Sequence, residues 1–332
     1  MNPATLGQII GASLFAMIAT FLLMPGSIRI LHRMKVGKAI RSEGPARHAA
    51  KAGTPTMGGA VVIVAAAAAT LVFTPRVDRA LVLVLFVVAF ALLGSIDDMR
   101  ALRLHRAMGL RAREKFAGQV LLAALLAVWT LRVAPEATRQ GVPFAGTSWE
   151  LAPWLFVLLS TLATTASANA VNLTDGLDGL AAGAIAIASA VYAGAAWMAG
   201  RPEVGIFAGA VGGACLGFMW YNGYPAQVFM GDTGSLALGA ALAAMGTFTG
   251  TLLSLPIVGG LFVVETLSVM AQVAYFRLTG GRRLFRMSPF HHHLELEGWS
   301  EPQVVVRLWL WAALFGLVGL WAILSGSVGV TP

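Results

Sequence analysis

Uncharged apolar stretches long enough to cross a bilayer constrain this chain more than any other feature. Residues 3–28 and 56–74 contain no Asp, Glu, Lys or Arg, and a helix needs roughly 20 such residues to span a hydrocarbon core. Composition agrees: 58% of the 332 residues are hydrophobic and 11% charged, against about a quarter charged in a soluble domain. A water-soluble core cannot absorb that much apolar surface.

Taking each apolar run between charged or Pro/Gly-rich punctuation as one helix predicts ten spans, at about 4–29, 56–74, 80–97, 115–132, 151–171, 179–199, 203–221, 234–253, 256–277 and 304–325. The expected fold is therefore all-α, a polytopic membrane helix bundle. With no internal repeat and no long soluble insert, residues 1–332 are expected to form one integral membrane domain. The first run has its positive charges after it, the reverse of a secretory signal peptide, so it is expected to remain as a span.

Ten spans place both termini on one side. Of the 23 Lys and Arg, 18 fall in alternate loops (29–51, 100–115 and 277–307), and the opposite loops hold only Arg76, Arg79, Arg132, Arg139 and Arg201. By the positive-inside rule the rich side is cytoplasmic and both termini are periplasmic. The net charge of +8 is thus a topology signal, and no nucleic-acid partner is expected. The single cysteine, Cys215, excludes an intrachain disulfide and a cysteine-based metal site.

The polar residues that remain are few and grouped. Asp97 and Asp98 stand at the cytoplasmic end of the third span, where paired carboxylates suit Mg²⁺ and a phosphate substrate, or merely end a solvated helix. In Asn169-Ala-Val-Asn-Leu-Thr-Asp-Gly-Leu-Asp-Gly, a spacing of three puts Asn169, Asn172 and Asp175 on one helical face, favouring a polar ligand pocket over simple capping. The turn from Phe229 through Gly231-Asp-Thr-Gly-Ser offers Asp232 as a ligand for a hard cation or as a helix cap. Phe229 by spacing alone is packing. Three consecutive histidines, His291, His292 and His293, cannot all meet one metal from a regular helix. One or two of them in an extended loop could donate to a phosphate or shuttle a proton. The segment Arg41-Ser-Glu-Gly-Pro and then Lys51 lead into a glycine-rich entry that could hold phosphate or set topology. Glu265, in the middle of the ninth run, should face the bundle interior and pair with a group that the sequence does not name.

In this order and on these loops, the segments 51–59, Asp97-Asp98, 169–179, 229–235 and 289–299 resemble those of the phospho-N-acetylmuramoyl-pentapeptide transferases. That family belongs to the polyprenyl-phosphate N-acetylhexosamine-1-phosphate transferase superfamily. The likeness covers essentially the whole chain, and Pro289-Phe-His-His-His-Leu-Glu-Leu-Glu-Gly-Trp is its most specific element. The resemblance implies transfer of phospho-N-acetylmuramoyl-pentapeptide from its UDP carrier to undecaprenyl phosphate, giving lipid I and UMP. It implies Mg²⁺ dependence and a site open to the cytoplasm in a bacterial inner membrane. On the matching positions, Asp232 would ligate Mg²⁺, and Asp98 would deprotonate or orient the lipid phosphate with Asp97 beside it. His291 would act near the diphosphate, flanked by His292 and His293. Lys51, Lys115, Asn169, Asn172, Asp175 and Asp178 would line the nucleotide-sugar site, and Phe229 would stack on uracil. Where the family often has a lysine after the Asp pair, this chain has Arg100 and Arg103. A homodimer is compatible with this reading, and the sequence does not fix the oligomeric state.

Two alternatives stand beside it. A polyprenyl-phosphate GlcNAc-1-phosphate transferase would share the acids but carry a different histidine arrangement. An ion-coupled transporter would route ions past Glu265, but the other acids cluster at one surface and not at the midplane.

Overall fold

The computed structural model describes residues 2–34, 51, 53–104 and 109–326. Lys35, Lys38, Arg41, Arg47 and Arg106 of the charge-rich loops, the whole Arg41 segment up to Pro45, and Ala52 lie outside the described residues. Among the described residues twelve α-helices run in order: α1 (Pro3–Arg33), α2 (Gly59–Phe73), α3 (Val77–Arg103), α4 (Ala112–Val133), α5 (Pro153–Thr174), α6 (Leu180–Met198), α7 (Pro202–Asn222), α8 (Gly231–Thr249), α9 (Leu255–Val258), α10 (Gly260–Leu278), α11 (Phe290–Leu296) and α12 (Glu301–Gly326). The ends follow local chemistry. Proline opens α1, α5 and α7, where its missing N–H costs nothing. Gly250 closes α8 at φ +70°.

Ten of these helices correspond to the ten expected spans, and eight are long and apolar enough to cross a membrane. The other two differ for physical reasons. At 15 residues, α2 reaches only about 22 Å. Helix α8 is built of glycine, alanine and leucine, and every residue but Asp232 and Thr249 is buried. It is enclosed by protein, so it does not need a lipid-facing surface. The ninth run is not one helix: it breaks at Gly259, leaving the single turn α9 before α10. The histidines, expected in an extended loop, occupy the short helix α11, because Pro289 starts a turn that 290–296 can continue.

Between α4 and α5, where the apolar pattern gives only a connecting loop, the chain makes a two-stranded antiparallel hairpin, β1 (Arg139–Val142) and β2 (Thr147–Glu150), with Arg139 opposite Glu150. Strands of four residues are not stable alone. This pair is held from outside: Gly141 N donates to Gly250 O at 2.8 Å, and Gly146 N to Ser325 O at 2.8 Å.

Alternating helix directions give the bundle two unlike ends. One end, called here the far end, carries the hairpin, Asn2, which accepts from Trp197 Nε1, and Gly326. The near end collects the last turns of α3 and α5 and the first turns of α4, α6, α8 and α12, with α11 beside them. All the acids and histidines singled out from the sequence, apart from Glu265, stand there.

Candidate active site

Adjacent helical residues point about 100° apart, so Asp97 and Asp98 reach different partners. The Asp98 carboxylate accepts from Thr233 N at 2.9 Å, Thr233 Oγ1 at 2.8 Å and Asp232 N at 3.2 Å. It caps the first turn of α8 from another helix, satisfying amides that Asp232, the cap suggested by sequence, does not. Asp97 accepts from Leu110 N at 2.8 Å and lies 3.9 Å from Lys115 Nζ. Two glycines make this approach possible. A Cβ at Gly94 would collide with the Asp232 carbonyl, and one at Gly231, where φ is +73°, would lie 2.7 Å from Asp98 Oδ2.

Lys115, on the first turn of α4, binds Asp232 Oδ2. The other oxygen of Asp232 accepts from Asn172 Nδ2 at 2.8 Å, and that amide also reaches Ser235 Oγ at 2.8 Å. Side chains from α3, α4, α5 and α8 therefore converge, with Asp97 and Asp232 beside one ammonium and Asp98 adjoining them on the first turn of α8. Among the described residues no three His, Cys, Asp or Glu side chains enclose a metal ion. A hard cation that keeps its waters needs only one or two carboxylates, and this surplus of carboxylate oxygen and negative charge fits Mg²⁺.

A second cluster adjoins the loop after α5. Lys51 Nζ binds Asp178 Oδ1 at 2.7 Å and Glu301 Oε1 at 2.6 Å. Asp178 also accepts from Ala226 N at 2.9 Å, and Glu301 from Asp178 N at 2.8 Å. Burial alone would lower the Lys51 ammonium, but the two carboxylates outweigh it and hold it above the ordinary lysine value. Glu301 was missed in the sequence. Its only local signal is an acid at the start of the last apolar run, which reads as a helix-dipole complement.

The remaining expected residues are more scattered. Asn169 exchanges hydrogen bonds with Gln119, at 2.7 and 3.4 Å, and donates to Thr165 O, latching α4 to α5 one turn deeper than the acids. Gln119 was also missed, because it is one polar residue in an apolar run. Asp175 ends α5, half-buried. Phe229 is half-buried, and its backbone pairs with the segment before α2, through Phe229 N to Pro55 O and Gly58 N to Phe229 O. Arg100, where a lysine is often found, forms a surface pair with Glu114 at 3.5 Å.

The three histidines take different partners, although the rings of His291 and His292 meet edge to face with centroids 4.2 Å apart. His291 is fully buried, with Nδ1 3.1 Å from Glu265 Oε2, which names the partner of the intramembrane acid. His292 Nδ1 lies 2.8 Å from Glu295 Oε2. His293 packs between Phe285 and Phe290, away from the other two.

Comparison with known proteins agrees with this arrangement. Residues 80–250 match the family model "Glycosyl transferase family 4", and residues 51–64 match signature 1 of the phospho-N-acetylmuramoyl-pentapeptide-transferases. The phospho-N-acetylmuramoyl-pentapeptide-transferase of Desulforudis audaxviator is 49% identical over 321 residues, covering 92% of this chain and 96% of the relative. That of Moorella thermoacetica is 47% identical over 306 residues, covering 92% and 96%. That of Geobacillus kaustophilus is 47% identical over 318 residues, covering 94% and 97%. Signature, family model and near-full-length identity point the same way, and the chain belongs to the phospho-N-acetylmuramoyl-pentapeptide-transferase family.

Proposed function

We propose that this protein transfers phospho-N-acetylmuramoyl-pentapeptide from UDP-N-acetylmuramoyl-pentapeptide to undecaprenyl phosphate, giving lipid I and UMP, at the cytoplasmic face of a bacterial inner membrane. The observation that carries the reading is the convergence of Asp97, Asp98, Asp232, Asn172 and Lys115 from four helices at the charge-rich end of the bundle. In this reaction an oxygen of the lipid phosphate bonds to the sugar-side phosphorus, and the P–O bond to UMP breaks, UMP leaving with the electron pair.

Each residue has a part that its surroundings support. Asp232, with Asn172 and Lys115 fixing its carboxylate, would hold Mg²⁺. Bound there, the ion supplies positive charge to the diphosphate as negative charge grows on the leaving UMP. Asp98 would deprotonate or orient the lipid phosphate with Asp97 beside it. A carboxylate has about four acceptor sites, so Asp98 can do this while still holding the amides of α8. Lys51, Asp175 and Asp178 would line the nucleotide-sugar site, with Asn169 bracing it, and Phe229 would meet uracil. The first turns of α6, α8 and α12 bring positive helix ends toward the same phosphates. His291 would meet a diphosphate oxygen, with His292 and His293 supporting α11.

The test is UMP release by purified protein given both substrates and Mg²⁺. Turnover is expected, with Asp232→Asn slowing it on the order of a thousandfold. No release, or equal release by Asp232→Asn, would sink the proposal. Turnover with UDP-GlcNAc but not with the muramoyl substrate would move the protein to the GlcNAc-1-phosphate transferases.

A further inference from the structure

Glu265 is the one acid in the middle of a membrane helix that the proposed reaction leaves without a task. A carboxylate buried at that depth persists only where other groups hold it. Here one oxygen, Oε2, meets a single residue twice: it accepts from His291 N at 3.3 Å and lies 3.1 Å from His291 Nδ1. Both side chains are fully buried. The same carboxylate therefore fixes the first turn of α11 and the rotation of the ring that α11 carries. A carboxylate accepts and does not donate, so the hydrogen on the shared edge belongs to Nδ1.

The opposite nitrogen, Nε2, is buried with no hydrogen-bond partner among the described residues. It abuts Gly176, where a Cβ would collide with it, in the loop that carries Asp175 and Asp178. An aligned but unmatched ring nitrogen in a dry site is costly for folding alone. A carboxylate behind a working imidazole is a familiar way to select its tautomer and aim its second nitrogen.

Resting on the transferase reading, we propose that Glu265 is the positioning residue of His291, keeping the hydrogen on Nδ1 and presenting Nε2 past Gly176 to an oxygen of the substrate diphosphate. Glu265 itself touches no substrate. Its contribution is felt through the imidazole, and removing it releases the ring to rotate and to exchange tautomers.

Three measurements on the full-length protein test this. First, ¹⁵N spectra of histidine-labelled wild type, with His291 assigned by its loss in His291→Gln, are expected to show a protonated Nδ1. A bare Nδ1 with the proton on Nε2 would overturn the proposal. Second, Glu265→Leu is expected to lower kcat on the order of a hundredfold with little change in KM, and Glu265→Gln, still able to accept, about tenfold. Unchanged kcat in both variants would overturn it. Third, in a His291→Gln background, Glu265→Gln is expected to change kcat less than about twofold, because the group it acts through is gone. Effects that multiply would assign Glu265 an independent structural role and overturn the positioning. A wild type that releases no UMP would refute the transferase reading, and the ¹⁵N spectrum would still decide which nitrogen Glu265 holds.

Discussion

The two ends of the bundle hold buried charge in different ways. At the far end, Arg79 bridges Glu203 at 3.0 Å and Glu136 at 2.7 Å, and Arg201 meets Glu136 at 2.5 Å. Two guanidiniums and two carboxylates cancel, and planar Arg forks satisfy several acceptors at once. The near end uses lysines, each outnumbered: Asp97 and Asp232 around Lys115, Asp178 and Glu301 around Lys51. A compact ammonium can give up an acceptor to an incoming phosphate or cation more readily than a locked guanidinium fork. The balanced end ties α3, α7 and the stretch between α4 and β1 together. The unbalanced end has electrostatic work left over for a ligand.

The contrast is sharpest where spacing, and not charge, is altered. Gly94→Ala would push α3 from α8 at the Asp232 carbonyl, displacing Asp98 and Asp232 together. Loss of turnover on the order of a hundredfold is expected from a shift of about 1 Å, with Tm lowered only modestly, as read by UMP release and thermal unfolding in detergent. Unaltered turnover would mean that the α3–α8 crossing does not set the site. Next, Lys51→Met leaves Asp178 and Glu301 facing each other without a cation. Breaking a buried pair in this way costs about 3 kcal/mol, and nucleotide-sugar KM should rise more than kcat falls. A variant with wild-type KM and Tm would put Lys51 in the topology class and not in the site.

The far end should respond least. Arg201→Ala removes a partly exposed pair worth under about 1 kcal/mol and should leave kcat and KM unchanged. A kinetic defect there would break the division of labour. Its pH response has a definite sign. Burial alone would raise the Glu136 carboxyl, but its own backbone, Arg201 and Arg79 together hold it below the ordinary glutamate value of 4.5. What it adds to stability is therefore complete above that value and fades as pH falls through the lowered one. The protection of the Ala137 and Thr138 amides, taken relative to their intrinsic exchange rate at each pH, should fall only in acid, while in Glu136→Gln that protection should stay constant over the same window.

Reading the sequence located the helices well because an apolar run is a local property. It singled out Lys51, Asn172 and Asp232 as well, since polar residues at the ends of such runs are conspicuous, whereas Lys115 and Asp178 came only with the family resemblance. It did not reveal which of them meet. Lys51 and Glu301 are 250 positions apart, and Glu301 by itself looks like an ordinary first-turn acid. The task of Asp98 in capping α8, the latch between Gln119 and Asn169, and the pairing of Glu265 with His291 are all contacts between segments, invisible to periodicity. The hairpin escaped for a related reason: four-residue strands have little pattern of their own, and theirs depends on bonds to Gly250 and Ser325.

The enclosure of α8 has a consequence for how the protein lives in different membranes. Hydrophobic mismatch acts on helices that touch acyl chains, tilting or compressing them at a modest cost per ångström. The strongly exposed helices are α1 and α10, each with 22% of its apolar stretch buried, α4 with 28% and α12 with 33%, so they meet that load first. Asp232, Thr233 and Ser235 hang on a central post, α8, that the surrounding helices enclose. Bilayer thickness should therefore shift the outer helices while leaving Asp232 on α8 in place, and kcat in vesicles of increasing acyl length should change only as far as α4 moves Lys115 and α10 moves Glu265.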